Sequence, residues 1–263
     1  MSVAAQKGFI EVRDLHISFG SNHIHRGIDL VVAEGQTLVV IGGSGEGKSV
    51  LLKQMLGLLR PDHGTVKIDG QEITGLPERA MAESRRKIGI LFQNGALFDS
   101  MNVAENVAFP LVQAGIRDRE MIDTRVMRCL DVVELSRHGA KMPVELSGGM
   151  RKRVALARAI VNQPRCVFYD EPTAGLDPIV ADSINILIHR LQEQDKVTSV
   201  VVTHDMQSAF RIADRIAFLY SGRIYFEGTA EELQASEDPI IRNFIEGISS
   251  ERRATEGSVN SGD

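Results

Sequence analysis

The residues best suited to chemistry form a glycine-rich loop at residues 42–49, with the spacing G-x-x-x-x-G-K-[ST]. An apolar run precedes the loop at residues 37–41, and a helical pattern follows it. The alternative is a chance glycine-rich turn, which would not need a strand before it and a helix after it. In this context glycines let backbone N–H groups surround phosphate oxygens, and the helix N-terminus adds partial positive charge. Lys48 is expected to contact the β- and γ-phosphates, and Ser49 to hold Mg²⁺. The predicted nucleotide-binding residues of this segment are Gly42, Gly43, Ser44, Gly45, Glu46, Gly47, Lys48, Ser49 and Val50.

Two adjacent carboxylates, Asp170 and Glu171, end another apolar run at residues 166–169. A carboxylate at the end of a strand beside a phosphate loop can hold Mg²⁺, usually through water. The second carboxylate can orient and deprotonate a water molecule that attacks a phosphate in line. The alternative is that the pair only caps the next helix. Together with the upstream loop, the pair favours nucleotide hydrolysis, with Asp170 as a metal ligand and Glu171 as the general base.

A third segment, Leu-Ser-Gly-Gly-Met at residues 146–150, runs into a basic, alanine-rich helical pattern. Ser147 is a good N-cap, and the two glycines let a ligand approach the amides at the helix start. A Ser-Gly-Gly helix start is common, so the segment alone is a weak signal. Its order and distance relative to the two carboxylates make it informative.

The elements that must position these residues include two kinds of β-structure. Alternating apolar and polar residues predict antiparallel strands at residues 9–19 and 28–32, and a further strand is expected at residues 66–70. Buried-strand patterns occur at residues 37–41, 88–92, 166–169 and 199–203. A helical pattern at residues 179–194 lies between the last two, as expected for a right-handed crossover in a parallel sheet.

Two further regions complete the predicted layout. Residues 94–163 show helical spacing and little strand signal, which predicts a helical insertion within the sheet domain. Ser221 and Gly222 separate apolar runs at residues 216–220 and 223–226, the pattern of a β-hairpin.

Bulk composition limits the functional classes. The chain has 263 residues, 43% of them hydrophobic and 25% charged, with a net charge of −5. This negative charge disfavours broad binding to nucleic acid, so no nucleic-acid partner is predicted. The N-terminus does not read as a signal peptide and no segment reads as a membrane span, which predicts a cytoplasmic protein with any membrane role supplied by a partner. Cys129 and Cys166 lack a metal-ligand spacing and are expected to be free thiols.

Six motifs occur in the order found in the nucleotide-binding subunits of ABC transporters, and residues 9–247 resemble that family. The motifs are the loop at residues 42–49, Gln93, residues 146–150, residues 168–171, residues 174–177 and His204. The resemblance implies an α/β fold of the P-loop NTPase (RecA-like) type. Such a fold has a mainly parallel sheet core, an antiparallel β subdomain and a helical insertion subdomain.

The implied domain organisation is a single ATPase domain at residues 8–247. Its core and β subdomain cover about residues 8–93 and 164–235, and its helical subdomain about residues 94–163. A C-terminal segment at residues 236–248 is expected to contact a partner or a second copy. Residues 249–263 contain almost no apolar side chains and are predicted to be a disordered tail.

The resemblance implies an ATPase that works as a head-to-tail homodimer, with ATP and Mg²⁺ as cofactors. Each ATP would lie between the phosphate loop of one copy and Ser147, Gly148 and Gly149 of the other. The family usually has Gln where this chain has Met150. A thioether cannot replace the hydrogen bonds of an amide, so a contact from that side chain is not expected.

Four more residues acquire roles through the resemblance. Phe19 would stack on adenine, and Gln93 would contact Mg²⁺ and the attacking water. His204 would contact the γ-phosphate, and Asp177 would lie at the dimer seam and couple the two sites. Each residue also has an ordinary structural alternative. Phe19 could be a core aromatic residue and Gln93 a polar residue at a strand end. His204 could be a structural histidine, and Asp177 a helix cap.

Within the family, the chain is most similar to the ATPases of the Mla/Mce lipid-transport systems. The similarity lies in residues 93–98, 106–111, 146–150 and 238–247. It implies phospholipid movement between the inner and outer membranes, powered from the cytoplasmic face of the inner membrane. The implied partners are a pair of MlaE-like permease subunits, an MlaD-like Mce-domain protein and an MlaB-like STAS-domain protein.

Three alternatives share parts of this pattern. The ATPase of a polar-solute importer would carry every core motif. A soluble ABC protein that acts on ribosomes or DNA usually has two cassettes or long insertions, whereas this chain has one cassette. A regulatory nucleotide switch would not need Glu171.

Overall fold

The computed structural model describes residues 8–247. The predicted tail at residues 249–263, and the last residue of the predicted C-terminal segment, lie outside the described residues. No helix within residues 8–247 combines the length and apolar character needed to cross a membrane.

A four-stranded antiparallel sheet forms one layer. Its strands are β1 (Ile10–Phe19), β2 (Asn22–Val32), β4 (His63–Ile68) and β5 (Gln71–Glu72), in the order β2-β1-β4-β5. The predicted antiparallel pair is confirmed, but β2 begins six residues earlier than its apolar alternation indicated (Asn22 instead of position 28). The first part of β2 is polar and largely exposed, so pairing with β1 extends the strand without an apolar pattern.

A six-stranded sheet carries the predicted chemistry. Its strands are β3 (Thr37–Ile41), β6 (Ile88–Leu91), β7 (Cys166–Asp170), β8 (Thr198–Thr203), β9 (Arg215–Tyr220) and β10 (Arg223–Gly228), in the order β10-β9-β3-β8-β7-β6. The strands β3 and β6 to β9 run parallel, and β10 joins β9 through the predicted hairpin. All residues of β3 and β8 are buried, as expected for central parallel strands covered on both faces.

Nine α-helices and two short 3₁₀ helices complete the described chain. The α-helices are α1 (Lys48–Met55), α2 (Glu78–Arg85), α3 (Val103–Gln113), α4 (Arg119–Val132), α5 (Gly148–Ile160), α6 (Pro178–Asp195), α7 (Met206–Ile212), α8 (Ala230–Gln234) and α9 (Pro239–Glu246). The 3₁₀ helices are Ser136–His138 and Pro143–Glu145. The predicted helices correspond to α1, α3, α4, α5 and α6. No helix was predicted at α2, α7, α8 or α9, because helices of eight residues or fewer have too few turns to show a repeated apolar stripe. Helix α1 is equally short and was indicated by the glycine-rich loop before it.

The six-stranded sheet separates two hydrophobic cores. Along β3, Val39 and Ile41 pack in one core with α5 and α6, while Leu38 and Val40 pack in the other with α1 and the antiparallel sheet. The carboxyl ends of its parallel strands meet at one edge, where open α/β sheets bind ligands. This edge receives the loop after β3, Asp170 at the end of β7 and His204 after β8.

Candidate nucleotide site

The glycine-rich loop lies between the end of β3 and the start of α1, as the strand–loop–helix pattern predicted. Gly47 has φ +97°, a conformation that side chains disfavour. A Cβ atom there would lie 2.6 Å from Ile24 Cγ2 and 2.8 Å from His25 Nε2. Glycine is therefore required at residue 47 both by backbone conformation and by the close approach of β2.

The Lys48 side chain folds back over the loop. Its Nζ donates hydrogen bonds to the carbonyl oxygens of Gly42 (2.8 Å) and Gly43 (3.0 Å). Burial lowers the pKa of Lys48, an effect opposed by the negative charges of Glu171, Glu46 and Asp170. The ammonium is thus held inside the loop, where phosphate oxygens could replace the two carbonyls.

Ser49 and Asp170 are far apart in the sequence but adjacent in the fold. The Ser49 hydroxyl donates a hydrogen bond to Asp170 Oδ1 at 2.9 Å. A hydroxyl and a carboxylate are hard oxygen donors, the type that Mg²⁺ prefers when phosphate oxygens and water complete its octahedron. The donor set therefore fits Mg²⁺ bound together with a nucleoside triphosphate.

Glu171 lies behind Asp170 in a restrained position. Its backbone adopts φ +47°, and its N–H donates to the Val202 carbonyl at 2.9 Å. The side-chain Oε1 lies 2.9 Å from His204 Nδ1, and Oε2 accepts a hydrogen bond from the Thr203 hydroxyl at 3.1 Å. Left-handed backbone at a non-glycine residue costs about 1–3 kcal/mol and is concentrated at functional sites. The capping alternative for this pair is wrong, because Asp177 rather than Asp170 or Glu171 caps α6.

Lys152 is a contact of Glu171 that sequence reasoning missed. This side chain is 5% exposed, and its Nζ donates to the Glu171 carbonyl oxygen at 2.8 Å. Burial lowers the pKa of Lys152 to about 8, against the attraction of Asp170 and Glu171. The available signal was helical spacing, which puts Lys152 on the same face of α5 as Ala155, Leu156 and Ala159. A lysine on a buried face needs an acceptor.

His25 is a second contact that was missed. It is buried, with Nε2 3.1 Å from the Gly47 carbonyl oxygen and Nδ1 2.6 Å from Gln54 Oε1. Burial lowers the pKa of His25, which favours the neutral ring with a single N–H. Donation from Nε2 to Gly47 leaves Nδ1 as an acceptor, so the Gln54 amide must present its NH₂ group. In this orientation Gln54 Nε2 donates to His25 Nδ1. In the opposite orientation Nε2 has no hydrogen-bond partner among the described residues.

The Ser-Gly-Gly segment forms the start of α5. Ser147 is exposed and caps the helix by accepting a hydrogen bond from the Met150 N–H at 3.3 Å. A Cβ atom on Gly149 would lie 2.4 Å from Val180 Cγ1 in the first turn of α6. Asp177 caps α6 by accepting from the N–H groups of Ile179 and Val180, as the helix-cap alternative proposed. Across residues 8–247, no hydrogen bond joins Ser147, Gly148 or Gly149 to the phosphate loop.

The remaining predicted residues, Phe19 and Gln93, both lie at the ends of strands. Phe19 ends β1 and is 51% exposed, so it is not a core aromatic residue. Gln93 follows β6 and is exposed; because Leu91 pairs with Tyr169, Gln93 lies one residue beyond the position level with Asp170. The Gln93 side chain makes no hydrogen bond within the described part of the chain. The proposed roles of both residues stay predictions.

Comparison with known proteins identifies the family. The family model described as "ABC transporter" matches residues 25–174, more than half of the chain. The chain belongs to the ABC transporter family. It is an ATPase subunit of this family, with the phosphate loop, the carboxylate pair and the Ser-Gly-Gly helix start in one cassette.

Individual relatives agree with this assignment. The chain is 40% identical to the "Intermembrane phospholipid transport system ATP-binding protein MlaF" of Haemophilus influenzae, over 92% of each chain. It is also 40% identical to the "Probable ribonucleotide transport ATP-binding protein mkl" of Mycobacterium tuberculosis, over 93% of this chain and 69% of that protein. A solved dimer of the ATP-binding cassette MJ0796, in a post-hydrolysis state with ADP and Pi, has TM-score 0.77 and 33% identity over 84% of this chain and 98% of that one.

Proposed function

We propose that this chain is the ATP-hydrolysing subunit of an ABC transporter that moves phospholipid between the inner and outer membranes. The observation that carries the proposal is the 40% identity to MlaF over 92% of both chains, which leaves no large segment of either protein unmatched. The subunit would act at the cytoplasmic face of the inner membrane. It need not touch lipid, since it would supply ATP-driven movement to a permease.

The site supports the following division of roles. Residues 42–49, with Lys48 in the loop interior, bind the phosphates of ATP. Ser49 and Asp170 hold Mg²⁺, which supplies charge neutralisation at the phosphates when bound. Glu171 orients and deprotonates the attacking water, and His204, already 2.9 Å from Glu171 Oε1, contacts the γ-phosphate.

The exposed start of α5 supports a dimeric site. Its N-terminus, capped by Ser147, can accept the γ-phosphate of an ATP held by a second copy. The MJ0796 cassette, which is similar in fold and sequence, is dimeric in its ADP and Pi state. In such a dimer Asp177, which packs beside the same helix start, would lie at the seam. Phe19 would cover adenine, and Gln93 would contact Mg²⁺ and the attacking water.

Residues 94–111 are the proposed contact for the permease. Buried Asn106 holds this segment, with Nδ2 donating to the carbonyls of Phe98 (3.1 Å), Met101 (2.9 Å) and Asn102 (3.0 Å). The Phe98 ring is 40% exposed and packs on Phe109 with centroids 4.6 Å apart. The hydrogen bonds of Asn106 fix the conformation of this loop, which directly follows Gln93 and exposes Phe98. If the two ATPase subunits close around ATP, the loop would move with them and could shift a permease bound to it. If Phe98→Ala left assembly intact and transport unchanged, this contact would be abandoned.

The remaining proposed partners follow from the Mla/Mce similarity. They are an Mce-domain protein and a STAS-domain protein in addition to the permease pair. Helix α9, within the proposed contact segment at residues 236–248, packs Phe244 on Phe218 with centroids 4.7 Å apart. The segment therefore has a defined shape to present to a partner. The proposed division of the chain is a core with its β subdomain at about residues 8–93 and 164–235, and a helical subdomain at about residues 94–163.

The lipid assignment is tested by affinity purification from membranes in mild detergent, with proteins and lipids identified by mass spectrometry. Recovery of an Mce-domain protein, a STAS-domain protein and phospholipid is expected. Recovery of another permease with a solute-binding protein would favour a polar-solute importer, the reading closer to the name of the mkl relative. Recovery of no membrane protein would favour a soluble ABC ATPase.

The hydrolytic role is tested separately with Glu171→Gln. Loss of the general base is expected to lower ATP turnover by about 10²-fold or more while ATP binding persists. The variant should accumulate as a closed dimer with ATP on size-exclusion chromatography. Glu193→Gln, an exposed carboxylate on α6, is the control and should hydrolyse ATP like the wild type. Undiminished turnover in Glu171→Gln would refute the general-base role.

A further inference from the structure

Asp14, His16 and His63 form a cluster on the antiparallel sheet that the nucleotide chemistry does not use. His16 Nε2 lies 2.8 Å from Asp14 Oδ1, and His63 Nδ1 lies 3.2 Å from Asp14 Oδ2. One ligand atom from each residue can be chosen so that all three atoms lie within 4.8 Å of one another. Two ring nitrogens and a carboxylate oxygen therefore lie near enough to one another to share one ion.

The backbone aims these side chains at each other. Asp14 has φ +45°, and the strand irregularities around it interrupt the pairing of β1 with both β2 and β4. A bulge of this kind re-aims a side chain, and it brings Asp14 beside His16, two residues along the same strand. The Asp14 N–H donates to Asp29 Oδ1 at 3.1 Å, which ties the bulge to β2.

Two glycines keep space around the cluster. A Cβ atom on Gly64 would lie 2.2 Å from the Asp14 carbonyl oxygen, so β4 could not approach the bulge with any other residue there. A Cβ atom on Gly27 would lie 3.1 Å from Asp14 Oδ1 and 3.3 Å from His16 Nε2. The second glycine thus leaves open the face of two of the three candidate ligand atoms.

The same region is tied to the end of β1. The Asp62 N–H donates to the His16 carbonyl at 2.9 Å, and Asp62 Oδ2 accepts from the Ser18 N–H at 2.7 Å. His63 is consequently held opposite His16, although the two are distant in the sequence. The cluster is supported by backbone contacts on both sides, while its side chains remain accessible to solvent.

We propose that Asp14, His16 and His63 bind a divalent transition-metal ion of the Zn²⁺ class, with water as the fourth ligand. Neutral imidazole suits Zn²⁺ and its neighbours in the first transition row, whereas Mg²⁺ and Ca²⁺ prefer all-oxygen sites. Three protein ligands and one open position match the tetrahedral preference of Zn²⁺. The bound ion would cross-link β1 to β4. This proposal is independent of the proposed transport function.

The experiment titrates the full-length protein with ZnCl₂ by calorimetry in excess Mg²⁺, so that the Ser49–Asp170 pair is already offered its preferred ion. The wild type is expected to bind one high-affinity equivalent of Zn²⁺. His63→Gln and Asp14→Asn should each weaken that binding at least about 10-fold, since even outer-shell changes weaken metal sites by 10–100-fold. Asn tolerates the left-handed backbone of residue 14, so Asp14→Asn should fold.

His189→Gln is the matched control, because His189 and Glu193 form an exposed histidine–carboxylate pair, Nδ1 to Oε2 3.4 Å, with no third ligand grouped with them in the described chain. This control should bind Zn²⁺ like the wild type.

Tetrahedral Co²⁺ bound to the wild type should show strong visible absorption that His63→Gln loses. Absence of a high-affinity equivalent in the wild type would overturn the proposal, leaving only an ion-paired cluster. Equal Zn²⁺ affinity in wild type, His63→Gln and Asp14→Asn would overturn it as well.

Discussion

The two glycine-rich segments of the cassette, residues 42–49 and residues 147–149, differ in how complete they are within one chain. The phosphate loop is enclosed by its own neighbours: β2 packs against Gly47, Lys48 bonds to two loop carbonyls, and Asp170 accepts from Ser49. The start of α5 is capped and packed on α6, but its outward side faces solvent. The phosphate loop can thus bind ATP within a single chain. The start of α5, in contrast, offers a surface that a second copy would complete.

The largest expected effect comes from damaging the enclosed segment. Gly47→Ala should lower ATP affinity at least about 10²-fold, because the left-handed backbone and the collision with β2 would displace the loop. Loss of two hydrogen bonds to the phosphates, at about 1.5–3 kcal/mol each, gives an effect of that size. Equilibrium binding of a fluorescent ATP analogue to the isolated protein measures this. Gly115→Ala is the control, since Gly115 has φ +87° but no atom within 4 Å of the added Cβ.

The exposed segment should behave differently. Ser147→Ala should lower ATP turnover by about 10- to 100-fold, the loss of a hydrogen bond to a charged group, without weakening ATP binding to the monomer. Steady-state hydrolysis and monomer binding are compared. Thr229→Ala removes an equivalent N-cap from α8 and should leave turnover unchanged. Weaker ATP binding to the Ser147→Ala monomer would contradict the comparison, because the segment would then serve its own chain's site.

Lys152 joins the two regions, since α5 begins with the exposed segment and its Lys152 Nζ holds the Glu171 carbonyl. Lys152→Met should lower kcat by about 10-fold with little change in ATP affinity, because it removes a charge-assisted hydrogen bond that positions Glu171, the proposed general base. Lys152→Arg should restore most of kcat by keeping a donor. A matched fall in ATP affinity would indicate general damage to the site instead.

The titration of Lys152 gives a stability prediction of known sign. Its pKa is lowered from 10.5 to about 8, so the unfolded chain binds more protons than the folded chain between these values. Relative to Lys152→Met, the wild-type free energy of unfolding should therefore rise as pH increases through that window, by up to about 3 kcal/mol. Urea denaturation of both proteins at pH values below 8 and near 10.5 measures the difference. A fall over the same window would contradict the assigned direction.

The smallest effect is expected at Phe19, at the exposed end of β1. Phe19→Ala should weaken ATP binding by about 5-fold, or roughly 1 kcal/mol, the lower end of the range for loss of a base–aromatic stack. Phe19→Tyr keeps the ring and should bind like the wild type. Binding of GTP and ATP to each variant, measured by calorimetry, would show whether the ring contributes stacking without base selection.

Local patterns were enough for much of the fold and of the candidate site. Alternation, buried runs and helical spacing located the antiparallel pair, the parallel strands and the helical insertion, because each depends on side-chain periodicity over neighbouring residues. The short helices α2, α7, α8 and α9 carried too few turns for that signal. The residues of the phosphate loop and the carboxylate pair were identifiable because phosphate and Mg²⁺ require particular residue types at short, fixed spacing.

What the sequence by itself determined is therefore the set of groups proposed to perform chemistry and most of the elements that carry them. Only the tertiary structure decided which distant groups meet: Ser49 with Asp170, Lys152 with the Glu171 carbonyl, and His204 with the Glu171 carboxylate. Asp14, His16 and His63 likewise met only through the bulge in β1 and its pairing with β4. The physical reason is that periodicity reports the burial of each element, whereas contacts between elements depend on strand order, register and the space that glycines leave.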